Sequence, residues 1–437
     1  MNKLVLTGLL AAGTMTHLQG AQPAGQRPNI LFILSDDHTS QAWGIYGGVL
    51  AEYAHNANIR RLAKEGVVLD NCFCTNSISA PSRASILTGL YSHRNRLYTL
   101  ADSLDTSIPT LATLLQANGY HTGLVGKWHI QSQPQGFDYY SIFYDQGEYR
   151  DPTFIESTDP WPGNHQFGER VLGFSTDLVT EKAIRWMKEQ DGNQPFLMCC
   201  HFKATHEPYD YPIRMEHLYD GVTFPEPENL LDWGPETNGR SFKGQTLEEL
   251  ERRWRIASQD PDKWWCRYPG LPFSTEGMQR TAARKAAYQK FIRDYMRCGA
   301  TVDDNIGKLL KTLDEMGIAD NTIVVYVSDQ EIYYRYWTNH AIRPAHFAIR
   351  SDRYKLIFYY ARNLDMTDTE NFDFTPSWDF YDLQNDPHEN HNAYNDPKYA
   401  PVIKQMKKDM LNLRKEVGDT DEKYPEMQEL LEKYYYK

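Results

Sequence analysis

Asn29-Ile30-Leu31-Phe32-Ile33-Leu34-Ser35-Asp36-Asp37-His38 joins an apolar run to an acidic pair and a histidine. The run reads as a buried strand whose polar residues sit at its carboxyl end. Working outward, apolar runs alternate with helical patterns. A helix from about Asn58 to Glu65 stops at Gly66, a C-terminal glycine signal. Pro109 to Asn118 reads as a helix with Gly119 past its end, and the strand His121 to Val125 follows. Pro195 to Phe202 is a further strand. Val302, Ile306, Leu309, Leu310, Leu313 and Met316 fall on one helix face, and the strand Ile323 to Val327 comes next. This alternation predicts an α/β fold with a mainly parallel central sheet, covered by helices on both faces. Ligand sites in such sheets gather where strands end. Polar clusters stand there: Asp36-Asp37, Lys127-Trp128-His129, His206 and Ser328-Asp329-Gln330.

The remainder differs. Residues 207–290 are rich in Pro, Trp and charge, with weak periodicity, and read as loops and short helices. Phe347 to Tyr360 reads as a hairpin turning at Ser351-Asp352, Trp378 to Leu383 as a strand, and Val402 to Val417 as a helix. Together they predict a small antiparallel sheet plus helix. At the other end, Lys3 precedes the apolar stretch Leu4 to Met15, too short for the ~20 residues that span a bilayer. Gly20, Ala21 and Ala24 follow it. The segment 1–24 is expected to be a cleaved signal peptide rather than a buried helix start, which makes the protein periplasmic or secreted with no membrane span.

The chain has 437 residues, enough for two or three domains, with 41% apolar and 24% charged residues. Its 46 basic and 58 acidic residues leave a net charge of −12, which argues against nucleic acid as a partner. An anionic small substrate remains open, because a site needs only a few local cations. The 29 Tyr and 10 Trp suit sugar rings or a core. Cys72, Cys74, Cys199, Cys200, Cys266 and Cys298 lack paired metal-knuckle spacing. Cys72/Cys74 and Cys199/Cys200 fall in apolar runs expected to be buried strands, and disulfide pairing stays open.

The chemistry is expected in Ser79-Ala80-Pro81-Ser82-Arg83-Ala84-Ser85-Ile86-Leu87-Thr88-Gly89. Pro81 suits a first helical turn, so Ser79 lies at a helix N-terminus, where free N–H groups favour an anion. Arg83, one turn on, can fork onto an oxyanion. Read alone, Ser79 is an ordinary helix cap. Read whole, the string resembles the signature of the formylglycine-dependent sulfatases: Cys or Ser, any residue, Pro-Ser-Arg, three residues, Leu-Thr-Gly. The likeness extends from about Arg27 to Gln330 through Pro28-Asn29-Ile30, Ser35-Asp36-Asp37-His38, Gly126-Lys127-Trp128-His129, Ala204-Thr205-His206 and Ser328-Asp329-Gln330.

The resemblance implies an alkaline-phosphatase-like sandwich at 25–330, with 331–437 as a C-terminal subdomain. It implies sulfate-ester hydrolysis by the diol of a formylglycine (3-oxoalanine) made from Ser79 by a maturation enzyme. One diol hydroxyl attacks sulfur and expels the alcohol, and loss of a proton from the other ejects sulfate. It further implies Ca²⁺ on the hard oxygen donors Asp36, Asp37, Asp329 and Gln330. Arg83, Lys127, His129 and His206 are implied to hold the sulfate and move protons, His129 near the diol and His206 near the leaving oxygen. Asp145 to Phe154, Val171 to Asp177 and Tyr333 to Trp337 look like the exported bacterial branch that desulfates glycans, with 6-sulfated N-acetylglucosamine as the expected sugar. His93 and Arg94 either contact that sugar or form an exposed loop pair.

One departure stands out. In the family a glycine and a long block carrying another lysine follow the Ser-Asp-Gln stretch, whereas here Gln330 runs directly into Glu331-Ile332-Tyr333-Tyr334. The alternatives are therefore a catalytically impaired homologue that keeps only glycan or anion binding, and a phosphatase of the same superfamily with two zinc ions. The absence of a His-rich cluster speaks against the phosphatase.

Overall fold

The structure is a computed structural model that describes residues 27–436 except 144, 162–167, 232–245, 261–268, 329–333, 342, 368 and 373. The expected signal peptide, Cys266, Asp329 and Gln330 lie outside the described residues. Eleven strands are β1 Asn29–Ser35, β2 His121–Gly126, β3 Tyr139–Phe143, β4 Thr153–Glu156, β5 Glu169–Arg170, β6 Phe196–His201, β7 Thr322–Ser328, β8 Tyr334–Tyr336, β9 His346–Arg350, β10 Tyr354–Tyr359 and β11 Ser377–Asp382. The α-helices are α1 Ala57–Glu65, α2 Ser79–Thr88, α3 Ser92–Asn95, α4 Leu111–Ala117, α5 Ser175–Lys188, α6 Leu247–Gln259, α7 Arg280–Glu315, α8 Ala400–Val417 and α9 Pro425–Leu430.

The larger sheet has the order β5-β4-β3-β2-β6-β1-β7. From β3 to β7 every pairing is parallel, and β4 and β5 add an antiparallel edge. Alternation along each strand divides its side chains between two cores. Leu31, Ile33, Val125, Met198 and Cys200 pack with Val302, Ile306 and Leu309 of α7 and Val179 and Ala183 of α5. Leu124, Leu197 and Cys199 pack on the other face against Ala80, Ala84 and Leu87 of α2 and Ala112 of α4. Each buried aliphatic side chain contributes about 1.5–3 kcal/mol. The smaller sheet, β11-β10-β9-β8, is antiparallel throughout and is covered by α8 and α9. The expected mainly parallel sandwich and small antiparallel sheet are both present.

Register decides what the larger sheet presents. Leu34 pairs with His201, Ser35 with Ser328, and Gly126 with His201. Strands β1, β2, β6 and β7 therefore finish in one row, and the residues after them leave along one edge. Gly126 makes the row possible. Its φ is +104°, and a Cβ there would lie 1.9 Å from the His201 carbonyl oxygen.

Two expectations need correction. Cys72 is exposed and Cys74 half-buried, outside any strand, because Asp70-Asn71 interrupts that short apolar run. Cys199 and Cys200 are buried as expected. The stretch 207–290 holds α6, whose Leu247, Leu250, Trp254 and Ala257 form an apolar stripe among charged residues, and the first third of α7, where Ala, Arg and Lys sustain a helix by propensity. No helix among the described residues is long and apolar enough to cross a membrane.

Replacing Gly126 with Ala is expected to cost about 2–4 kcal/mol through strain and overpacking against β6. Denaturant unfolding measures it, and a loss under about 0.5 kcal/mol would mean that the two strand ends can separate freely.

Candidate active site

Helix α2 begins at Ser79 after Ile78 in an extended conformation, and no side chain caps it. Pro81 occupies the first turn, and Gly89 ends the helix at φ 68°. Ser79 is therefore not a helix cap. Its Oγ lies 3.4 Å from Asp36 Oδ1, pointing at the end of β1.

Asp36 is fully buried and is the hub of the cluster. The Lys127 ammonium donates to Oδ2, and Arg83 Nη2 donates to Oδ1 at 3.3 Å. Arg83 Nη1 also donates to the Lys127 carbonyl at 2.8 Å. Burial pushes the Asp36 carboxyl up, but Lys127 and Arg83 outweigh it and hold the group far below the usual carboxylate range. The backbone is pinned as well. Asp36 N–H donates to the Ala204 carbonyl at 3.0 Å, and Thr205 N–H donates to the Asp36 carbonyl at 2.7 Å. This brings the Ala204-Thr205-His206 turn against the end of β1.

Asp37 takes φ 58°, and its carbonyl accepts from the Tyr295 hydroxyl at 2.7 Å. Its carboxylate lies 3.8 Å from His206 Nε2. Confinement in the cleft, then the adjacent Asp36 charge, push the Asp37 carboxyl up to about 6. His206 Nδ1 faces the Glu207 carbonyl at 2.9 Å, and burial pushes the ring down to about 4. His129, at φ 54°, places Nε2 3.3 Å from Asp145 Oδ1. Burial lowers its pKa against the pull of Asp145, and its buried Nδ1 has no partner among the described residues.

Ser79, Arg83, Asp36, Asp37, Lys127, His129 and His206 are thus drawn from separate segments to one edge of the sheet. Asp329 and Gln330 lie outside the described residues, one step beyond Ser328, whose Oγ accepts from the His38 N–H at 3.0 Å. His93 and Arg94 are not brought into the cluster by any described contact. His93 Nε2 lies 2.8 Å from the Val417 carbonyl at the end of α8, and its ring stacks on Tyr91. Arg94 reaches Gly418 in the same place.

Lys203, Gln146 and Asp145 belong to the cluster; the sequence reading assigned no site role to them, although Asp145 and Gln146 open the Asp145 to Phe154 stretch noted there. Gln146 Oε1 accepts from the Lys127 ammonium, and the Gln146 carbonyl accepts from the Lys203 ammonium at 3.3 Å. The available signal for Lys203 was a lysine placed directly after a wholly apolar strand end. Asp36 and Asp37 offer an oxygen-only donor pair, which suits a hard cation. Among the described residues, no group of three or more His, Cys, Asp or Glu side chains is arranged for a metal.

Residues 28–352 match the sulfatase family. Residues 318–416 match the C-terminal region of N-sulphoglucosamine sulphohydrolase. An N-acetylglucosamine-6-O-sulfatase of Bacteroides thetaiotaomicron is 36% identical over 339 residues, which are 70% of this chain and 59% of that protein. Human N-acetylgalactosamine-6-sulfatase is 25% identical over 343 residues, which are 71% of this chain and 51% of that protein. The chain thus spans little more than half the length of these curated relatives. A structure solved in complex with its substrate, D-glucosamine-2-N,6-O-disulfate, superposes with a TM-score of 0.78 at 27% identity, covering 92% of this chain and 100% of that one.

Asp36→Asn would leave Lys127 and Arg83 buried without their counter-ion, an expected cost of about 3–5 kcal/mol in metal-free protein. Urea unfolding tests it, and a loss below about 1 kcal/mol would show that the two cations find water or another acceptor.

Proposed function

The chain belongs to the sulfatase family, and from that premise we propose that it is an exported hydrolase of sulfate esters on glycans. The observation that carries the reading is the Ser79 hydroxyl, held 3.4 Å from Asp36, the buried carboxylate to which Arg83 and Lys127 also donate. The preferred substrate in this reading is 6-sulfated N-acetylglucosamine, supported by the B. thetaiotaomicron relative and by the sugar disulfate in the superposed structure.

Ser79, oxidised to formylglycine by a maturation enzyme, supplies the reacting hydroxyls in this reading. The unmodified hydroxyl can accept sulfate but has no second hydroxyl with which to release it. Arg83 and Lys127 hold the sulfate oxygens and offset charge as it develops. His129, oriented by Asp145, exchanges a proton near residue 79. His206 serves the leaving oxygen. Burial foremost, helped by the Lys127 and Lys203 charges, keeps His206 neutral near pH 7, and a sulfate anion beside it opposes that depression. Asp36 and Asp37, with Asp329 and Gln330, would hold Ca²⁺, which would polarise the ester and favour ionised oxygen at residue 79.

A binding-only homologue is the second reading, favoured by the direct run of Gln330 into Glu331.

The test is sulfate release from N-acetylglucosamine-6-sulfate by protein whose residue 79 is shown by mass spectrometry to be formylglycine. Turnover is expected, with His129→Ala slower by about 10²–10⁴-fold and Ser79→Ala inactive. Silence of the verified protein on that sugar and on sulfated galactose and uronic acids would leave the binding-only reading.

A further inference from the structure

Lys203 follows β6, three positions before His206, and is only 3% exposed. An ammonium carries three donors. Among the described residues, that of Lys203 meets one hydrogen-bond acceptor, the Gln146 carbonyl at 3.3 Å, and the face of Tyr149 at 5.4 Å. Among the described residues no carboxylate lies within ion-pair distance of it, and Asp36, Asp37 and Glu148 act on it only from farther away. A buried cation left this way costs several kcal/mol unless something else compensates it. Its neighbourhood shows what that is. Gln146, half-buried at the cleft, holds the Lys127 ammonium with its side chain and the Lys203 ammonium with its backbone. His206 N–H donates to the Lys203 carbonyl at 3.1 Å, and the next residue, Ala204, is bonded to Asp36. Lys203 therefore stands on the segment that carries His206, with donors to spare, beside the Asp36 hub.

We propose that Lys203 is a sulfate-binding residue whose ammonium contacts a non-bridging oxygen of the sulfate group in the cleft shared with Arg83 and Lys127. The proposal rests on the sulfatase reading of the same cleft, and adds a contact that none of the sequence motifs assigned. Arg83 and Lys127 are both committed to Asp36, so their charge is partly spent inside the protein. Lys203 has no such carboxylate and carries its charge to the ligand. Burial, then the nearby Lys127 charge, push its pKa down to about 8, which still leaves it mostly charged at neutral pH.

Calorimetric titration of the unmodified Ser79 protein with inorganic sulfate, at constant ionic strength, tests this without turnover. Lys203→Met is expected to weaken sulfate binding by about tenfold or more, and Lys203→Arg to stay within about threefold of wild type. Lys203→Gln, which can still donate to the Gln146 carbonyl, is the second neutral variant if Lys203→Met does not fold. In formylglycine protein, the neutral variants should raise KM and the inhibition constant of product sulfate together, which a merely structural lysine would not do. Wild type that binds no sulfate, or folded neutral variants that bind it as tightly as wild type, would overturn the proposal. Wild type that binds sulfate through Lys203 but hydrolyses no sulfated sugar would sink the hydrolase reading while upholding the anion contact.

Discussion

The burial of the Asp36 carboxylate is the constraint on which the cleft depends. A lone carboxylate in that position would take a proton or open the structure to water, at a cost of several kcal/mol. It stays ionised because Lys127 and Arg83 both donate to it. Those partners come from the end of β2 and from the second turn of α2. One buried charge therefore fixes three segments relative to one another, and Ser79, four residues before Arg83 on the same helix, is carried to the same point. The backbone bonds from Asp36 to Ala204 and Thr205 bring in the turn that holds His206. The positions of Ser79 and of the His206 turn are thus set by a single buried charge.

The sheet makes that arrangement rigid. Because Gly126, His201 and Ser328 stand in one registered row with Leu34 and Ser35, the segments leaving β1, β2, β6 and β7 emerge side by side. β1, β2 and β6 are largely buried on both faces, so none of the three can slip without exposing apolar side chains, while β7 is the half-buried edge strand held by its ladder to β1. Gly126 lets the β2 and β6 ends approach closely at the place where Lys127 must turn toward Asp36.

Much of this was legible in the amino-acid sequence for a physical reason. Strands buried on both faces are near-continuous apolar runs, so β1, β2 and β6 stand out, and β7 carries a like run at the sheet edge; a polar residue just past such a run has few other places to be. Strands β3 to β5 were missed because they are short pieces that mix Tyr, Ser, Thr, Glu and Arg among few aliphatic residues and lack that signal. The early start of α7 was missed because its Ala and Lys residues form helix without an apolar stripe. Lys203 and Gln146 escaped for a different reason. A lysine that packs on Tyr149 and bonds a carbonyl has no sequence spacing to reveal it, since its partner is a backbone group 57 positions away. His93 and Arg94 illustrate the converse, where adjacency to the signature suggested a role that their contacts to α8 do not support.

The cleft also sits in contrast to the molecule as a whole. With a net charge of −12, the protein repels a sulfated polymer at long range, although salt screens charges more than about 8 Å apart at physiological ionic strength. For the proposed sulfated substrate, recognition then comes from contact. Surface lysines would be poor at this, because water and salt weaken them to about 1 kcal/mol or less. Arg83, Lys127 and Lys203 are instead almost wholly buried, where the lower local dielectric strengthens their attraction for an anion. Charges placed that way are costly when the cleft is vacant, and Asp36 offsets only part of the cost. The residual positive field within an acidic protein favours a compact anion small enough to enter, over an extended polyanion held along the surface.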